Sequence, residues 1–491
     1  MGRTLFDDKS EGGQMFRITR LFCGVGALVW GYGFSVSAED PNPDSSPATV
    51  SYYSQIQPIF QRACHGCHQP ARPSGGYVTT DRTHLLKAGD TGLPGVIPGD
   101  PQESSLVLMI TAEEGDQPAM PKGKDPLQKE EIELISQWIL QGAVDDTPDS
   151  AVRVYDAEHP PTYTLPPVLT SVDYSPDGKL LAVSGFHEVL IYDTASNQPV
   201  ARLIGLSPRI QSLSFSPDGK RLAVTGGKPA QFGEIQIWDV AKRLLKFSST
   251  LTFDTIFGVS WSPDGKLVSF GCTDNSVRAI EIESGKQVLY QGAHADWVLD
   301  TTFSVDASHL VSVSRDRSMK LTQVATERFV DNITSITPGA LKGGLMTVRR
   351  NPLSDELLVG GADGIPKIYQ MYRTKARRIG DDFNLVRAFE AMPGRIFAVD
   401  FSTNGELITA GSSFNGKGEV RCYNTVDGKR LATFEGQRGP VYTLRFHPSG
   451  GQVASGGFDG VVRINDSKTG KLLSEFVSVP VRAEEVAKKS Q

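Results

Sequence analysis

Cysteine is scarce in this chain: there are five in 491 residues, and two of them, Cys64 and Cys67, stand in one short motif. Cys272 and Cys422 lie far apart in different repeats, and Cys23 falls in the N-terminal apolar run. That distribution excludes the disulfide framework on which small exported domains depend. An excess of positive charge is also missing. A formal net charge of −6 and an isoelectric point near 5.8 leave no basic footprint for a nucleic acid. Residues 150–491 lack clustered metal ligands, a nucleophile triad and a phosphate-cradling loop. Their histidines, His187, His294, His309 and His447, are scattered over different repeats. These absences weigh against a catalyst in that half.

What is present divides the chain. At 491 residues the length calls for two or three domains. Fifty glycines and thirty prolines favour a turn-rich, all-β body. Near the start, Arg17 and Arg20 precede the apolar run Leu21 to Val36, and Val36-Ser37-Ala38 supplies small residues for cleavage. Residues 1–38 therefore read as an export signal with Met15 as the true start, and the mature chain is expected in the periplasm or otherwise outside the cytoplasm. Membrane contact is expected only if the signal is retained as an anchor. Residues 39–149 carry a net charge of −10 and residues 150–491 a net charge of +3. Two bodies of opposite sign could dock on each other, or the first could seek a basic partner.

The motif is Cys64-His65-Gly66-Cys67-His68. Two thiols three positions apart can add to the vinyl groups of one porphyrin, and the histidine that follows reaches its iron. A zinc site would need further Cys or His ligands, and only His65, His68 and His84 lie near. A thioredoxin-like redox pair would want a βαβ surround that is absent. The reading is one covalently held haem c, with Cys64 and Cys67 as attachment points and His68 as an axial ligand. Met120, held between Pro118 and Pro121, is the first candidate for the second axial position. Met109 and His84 compete; Met109 sits in an apolar helical run, where methionine is commonly core filler.

Apolar spacing at Ile56, Ile59, Phe60 and Ala63 predicts a short helix before the motif. Asp100-Pro101 predicts a helix start leading into Leu106, Val107 and Met109. A last helix is predicted from Asp125 or Gln128 to Gln141, closed by Gly142.

Residues 52–143 resemble the planctomycete-type cytochrome c domain. The resemblance rests on Ile56-Gln57-Pro58-Ile59-Phe60, the Cys64 to His68 motif, Gly75-Gly76, Leu85 to Asp90, Val96 to Pro101, Ser104 to Val107, Met120-Pro121 and Trp138 to Ala143. It implies one covalent haem with histidine and, by position, methionine ligation. Two departures, Tyr77 to Thr80 and Gln128 at a helix cap, do not touch the iron.

A turn signature then recurs: Ser175-Pro176-Asp177-Gly178, Ser216-Pro217-Asp218-Gly219 and Ser262-Pro263-Asp264-Gly265. Looser copies begin at Ser304, Asn351, Ser402 and His447, at spacings of 41, 46, 42, 47, 51 and 45 residues. Each joins two short apolar-alternating runs, so each is a hairpin, and a third strand such as Ile235 to Asp239 follows. Seven repeats of this length predict a closed seven-bladed propeller. Residues 166–477 resemble the WD40 repeat family through Ile237-Trp238-Asp239, the turn aspartates Asp274, Asp316, Asp363 and Asp459, and the pair His294 and Asp316. These positions imply framework hydrogen bonding rather than a site. The loops Lys228 to Gly233 and Ser412 to Gly418 should share one rim. The basic insertion Arg373 to Asp382, with Arg373, Lys375, Arg377 and Arg378, reads as a solvated loop or as a contact for the acidic domain or a partner.

The expected fold is thus two domains, a small all-α c-type cytochrome followed by an all-β WD40-like propeller. Expected boundaries are 1–38 for the signal, 47–147 for the haem domain, 148–165 for a linker, 166–477 for the propeller and 478–491 for a charged tail. The expected function is electron transfer by an exported mono-haem cytochrome, with a redox partner protein and a protein or peptide bound by the propeller. A haem-based redox or gas sensor is the alternative, and a haem-dependent oxidoreductase a more distant one.

Overall fold

The Ser-Pro-Asp-Gly turns close themselves. In the first three copies the serine hydroxyl donates to the aspartate two residues on, at 2.6, 2.7 and 2.6 Å for Ser175, Ser216 and Ser262. The same carboxylate oxygen accepts the backbone N–H of Lys179, Lys220 or Lys266 at 3.0–3.1 Å. Gly178, Gly219 and Gly265 sit at φ near +70°, where a side chain would be strained. Looser copies keep the device with other atoms. Ser304 uses Asp306 and Ser402 uses Asn404, while Asn351 Oδ1 accepts the N–H of Leu353.

The computed structural model describes residues 49–482 except residues 66, 70–71, 81, 113–115, 149–154, 336, 338–341, 377 and 381. The expected export signal, the Met15 start and most of the charged tail lie outside the described residues. Between the turns the chain forms seven four-stranded antiparallel sheets. They span 172–204, 209–252, 256–291, 298–332, 345–388, 395–433 and 441–477, here blades 1 to 7, and the four strands of each run in chain order. This is the expected seven-bladed propeller. Inner strands mix buried and half-buried residues, as in Val172–Tyr174 and Ile256–Trp261, while second strands such as Leu180–Ser184 and Leu267–Cys272 are buried nearly throughout. Such burial on both faces is what stacking between neighbouring blades requires.

Every blade is built from one contiguous stretch of chain, so ring closure falls to contacts between blades 7 and 1. Leu169 N–H donates to Gly457 O at 2.8 Å, and Val172 N–H to Thr443 Oγ1 at 2.9 Å. Tyr192 donates its hydroxyl to Ser478 O at 2.8 Å. The segment before blade 1 straps across the seam through a parallel bridge of Tyr163 with Val481. Tyr163 also donates to buried Glu188 at 2.6 Å, and Glu188 pairs with Arg202 at 2.6 Å.

Residues 49–148 depart from the all-α expectation. Helices α1 (Gln57–Ala63), α2 (Arg82–Leu85), α3 (Ser105–Ile110) and α4 (Lys129–Leu140) are short, and a π-helical turn, Tyr52–Ile56, precedes α1. After the motif, His68–Gln69 pairs antiparallel with Arg72–Pro73, because Pro73 and Gly75 at φ +64° do not support a helix there. The helix expected from Asp100 begins five residues later. Asp100 Oδ1 accepts the N–H groups of Gln102 and Glu103 at 3.1 Å, closing a turn instead. The last helix begins at Lys129, and Gln128 is an effective cap through reciprocal bonds with Glu131. The core of this segment is Trp138, stacked on Tyr52 with centroids 5.3 Å apart and met edge-on by Phe60 at 6.2 Å. Its indole donates to Val144 O at 2.9 Å.

Candidate functional site

Helix α1 delivers the motif. Its last turn runs on into the cysteine, whose N–H donates to Phe60 O at 2.8 Å. The N–H groups of Cys67 and His68 then both return to Cys64 O, at 3.1 and 3.0 Å, so the motif folds as a tight turn at the helix end. Cys64 packs against the Trp138 core, and burial pushes its thiol up to about 11 despite the opposing charges of Lys124 and Arg62. His65 is tied off through Nε2 to Thr79 O at 2.9 Å. His68 is held by its backbone, since its carbonyl accepts both the N–H and the hydroxyl of Thr79.

The His68 imidazole is different. Its Nδ1 is buried without a hydrogen-bond partner, which costs about 1–3 kcal/mol for an unsatisfied group. Met120 packs, half-buried, against the same core as Cys64, and its N–H donates to Met109 O at 2.8 Å. The core-filler expectation for Met109 is corrected: its side chain is 43% exposed. His84 lies half-buried on α2. A tight pair of free thiols, an orphaned buried imidazole nitrogen and a thioether on the same core suit a thioether-linked porphyrin. Among the described residues no group of three or more His, Cys, Asp or Glu is arranged to hold a metal ion.

The propeller has two unlike ends. Loops joining second to third strands, and loops between blades, lie on one rim; the loops Lys228 to Gly233 and Ser412 to Gly418 lie there together. This rim exposes Phe253, Phe414 and Phe458, each more than half exposed, and Trp297. Trp297 stacks on Phe257 at 5.8 Å with Arg315 over its ring at 4.5 Å. His294 and Asp316, near the same rim, form the expected framework pair at 2.9 Å, with His294 Nε2 against Ser312 at 2.8 Å. At the other end, the turns frame a cavity of about 500 Å³ that opens on the channel. Sequence reading missed this throat and its charges, Asp173, Arg349, Asp400 and Arg445. The basic insertion is also not a uniform contact surface. Arg373 is half-buried, paired with Asp331 at 3.4 Å and set over the Phe383 ring, while Lys375 is exposed; Arg377 lies outside the described residues.

Comparison with known proteins covers both parts of the chain. The planctomycete cytochrome C family model matches residues 64–123. The WD domain, G-beta repeat model matches residues 244–280, 285–322 and 428–466. Curated relatives include eukaryotic translation initiation factor 3 subunit I from Aspergillus niger, 25% identical over 236 residues, which are 48% of this chain and 56% of the relative. The same subunit from Emericella nidulans is 26% identical over 223 residues, 45% and 52% of the two chains. That from Brugia malayi is 24% identical over 218 residues, 44% and 53%. The chain spans about half the length of these relatives.

They correct the expected function and location. Their names carry translation initiation, and neither export to the periplasm nor haem-based electron transfer; the exported electron-transfer cytochrome is overturned on that ground. No helix among the described residues is long and apolar enough to cross a membrane. The chain thus joins a planctomycete-type cytochrome c segment to a WD40 repeat β-propeller.

Proposed function

We propose that this chain is a protein-binding scaffold, a propeller subunit of a multi-protein assembly, whose N-terminal segment holds one covalent haem c. The observation that carries the first half is the aromatic rim. Four exposed aromatics in the loops of one rim, Phe253, Trp297, Phe414 and Phe458, are the kind of side chain that protein interfaces bury. The relatives are named as a subunit of a translation initiation factor, and a complex of that kind is the assembly favoured here.

The division into residues 47–147, a linker at 148–165 and a propeller at 166–477 belongs to this proposal. For the haem, Cys64 and Cys67 would carry the thioether links, and His68 and Met120 would face the iron. Bound there, the group supplies a redox-active iron. The chain's own part is to keep the His68 Nδ1 edge buried, to hold the thiols at a helix end and to pack Cys64 and Met120 against Trp138, Phe60 and Tyr52.

Two measurements test this. Full-length chain isolated from its own cells should retain a stoichiometric protein partner through a salt wash. Replacing Trp297 and Phe253 together by alanine should release that partner, whereas a partner retained by the double variant would contradict the rim. For the cofactor, denatured chain should keep haem absorbance, and Cys64→Ala with Cys67→Ala should abolish it. Met120→Ala should keep the covalent haem and shift its spectrum. Denatured wild-type chain free of haem would contradict the attachment.

A further inference from the structure

The inner strands share one fault of register. In blades 2 to 7 the pairing of inner with second strand slips by one residue near the start of the inner strand. In blades 3 to 7 the throat at the far end is lined by Ser260, Thr302, Arg349, Asp400 and Arg445. The one-residue bulge puts the side chain three positions earlier on the same face of its strand as each of these. The rim end of the channel therefore gathers Phe257, Leu299, Met346, Phe397 and Tyr442, one from each of five successive blades. All five are half-buried, and Phe397 meets Tyr442 of the next blade edge-on at 5.2 Å. This collar is apolar where the throat is polar. Phe257 also stacks on Trp297, so collar and aromatic rim form one surface.

The charges around that surface are unevenly matched. Asp274, Asp316, Asp363 and Asp459, in loops between second and third strands, each face the cation four residues on. Glu188 is answered by Arg202, Glu419 by Arg421, Asp296 by Arg315, and Glu390 by Arg421 and Arg430. Among the described residues, Asp254, Glu435 and the buried Glu234 stay without a cation. Against these stand six exposed cations at rim loops or strand ends, Arg209, Lys228, Arg317, Lys342, Arg395 and Lys417, none within ion-pair distance of a described carboxylate. The rim keeps a surplus of positive charge that water alone screens.

We propose that this end of the channel binds an acidic segment of a protein partner, with one bulky apolar side chain in the collar and flanking carboxylates against Arg209, Arg317 and Arg395. The inference rests on the reading of the aromatic rim as a protein-binding face and gives that face its ligand chemistry. An apolar anchor gains by taking the collar out of water. Unpaired cations around it select acidic neighbours and speed their encounter. A nucleic acid would also meet cations and rings here, but the aliphatic Leu299 and Met346 offer its bases no stacking face.

The test pans random dodecapeptides displayed on phage against full-length chain and titrates the selected peptides calorimetrically. They should carry Asp or Glu on both sides of one Leu, Ile, Phe or Trp, and their binding should weaken as salt rises. Arg209→Glu with Arg395→Glu changes exposed side chains and should weaken a selected peptide about tenfold at an unchanged unfolding temperature. Leu299→Ser should weaken it by a similar factor; if that variant does not fold, the charge variant decides. Selection of basic or neutral peptides, while Trp297→Ala with Phe253→Ala still releases the native partner, would overturn the acidic occupant and leave the rim reading intact. No selected peptide, or binding unchanged by the charge variant, would overturn the proposal. Tighter binding of oligouridylate than of any selected peptide would overturn a protein occupant.

Discussion

Single residues carry the electrostatic account. Glu188 has no exposed side-chain surface and anchors both Arg202 and the strap residue Tyr163. Its removal strands a cation and a buried hydroxyl, so Glu188→Ala should destabilise the propeller by about 3 kcal/mol, read from denaturant unfolding. Asp316 gives a prediction in pH. Burial pushes its carboxyl up, but the His294 and Ser318 hydrogen bonds outweigh this and hold it well below the usual carboxylate range. A depressed folded value means stability that is present above the unfolded value near 4 and is lost as pH falls toward the folded one. Asp316→Asn should therefore lower the neutral-pH unfolding temperature and flatten its decline below about pH 4. An unchanged acid limb would contradict the assignment.

Elements show what the sequence can and cannot announce. The turns were legible because serine, aspartate and glycine complete one another within four residues. The start of α3 was not, because Asp100 and its proline fit a cap and a closed turn equally well, and only the Gln102 and Glu103 N–H groups distinguish them. The Cys64 to His68 motif was legible as chemistry, while the buried, unpartnered face of His68 depends on Thr79 and the two-residue strand pair beyond it. The throat was invisible in any one repeat. Aligning all seven copies on the turn and reading two residues upstream gives it directly, since Asp173 stands there before Ser175 and Asp400 before Ser402. Close packing between strands yields a further test. At Gly457 an added Cβ would lie 1.9 Å from Pro440 O, a backbone atom that cannot move aside. Gly457→Ala should cost about 3 kcal/mol through overpacking, measured as a fall in unfolding temperature; a neutral substitution would mean the packing inside blade 7 is looser than described.

The whole molecule combines a ring closed without strand exchange and a small helical segment with its own aromatic core. Closure concentrates on few contacts: Leu169 on Gly457, Tyr192 on Ser478, Arg445 on Asp173 and the Tyr163 strap. The N-terminal core gathers around Trp138, whose replacement by alanine should cost 3–5 kcal/mol by the general scale for buried aromatics. The repeats and the haem-motif segment were legible in the sequence, but the direction of the function was not. The haem motif drew the reading toward export and electron transfer, while the propeller's relatives carry translation initiation in their names. The central claim is that the chain works as a haem-holding scaffold bound to protein. Native mass spectrometry of the full-length chain purified from its own cells tests it most directly. The account predicts a species heavier than the 53.2 kDa chain, containing one haem that survives denaturation and a stoichiometric partner protein. A single chain at its bare polypeptide mass would contradict it.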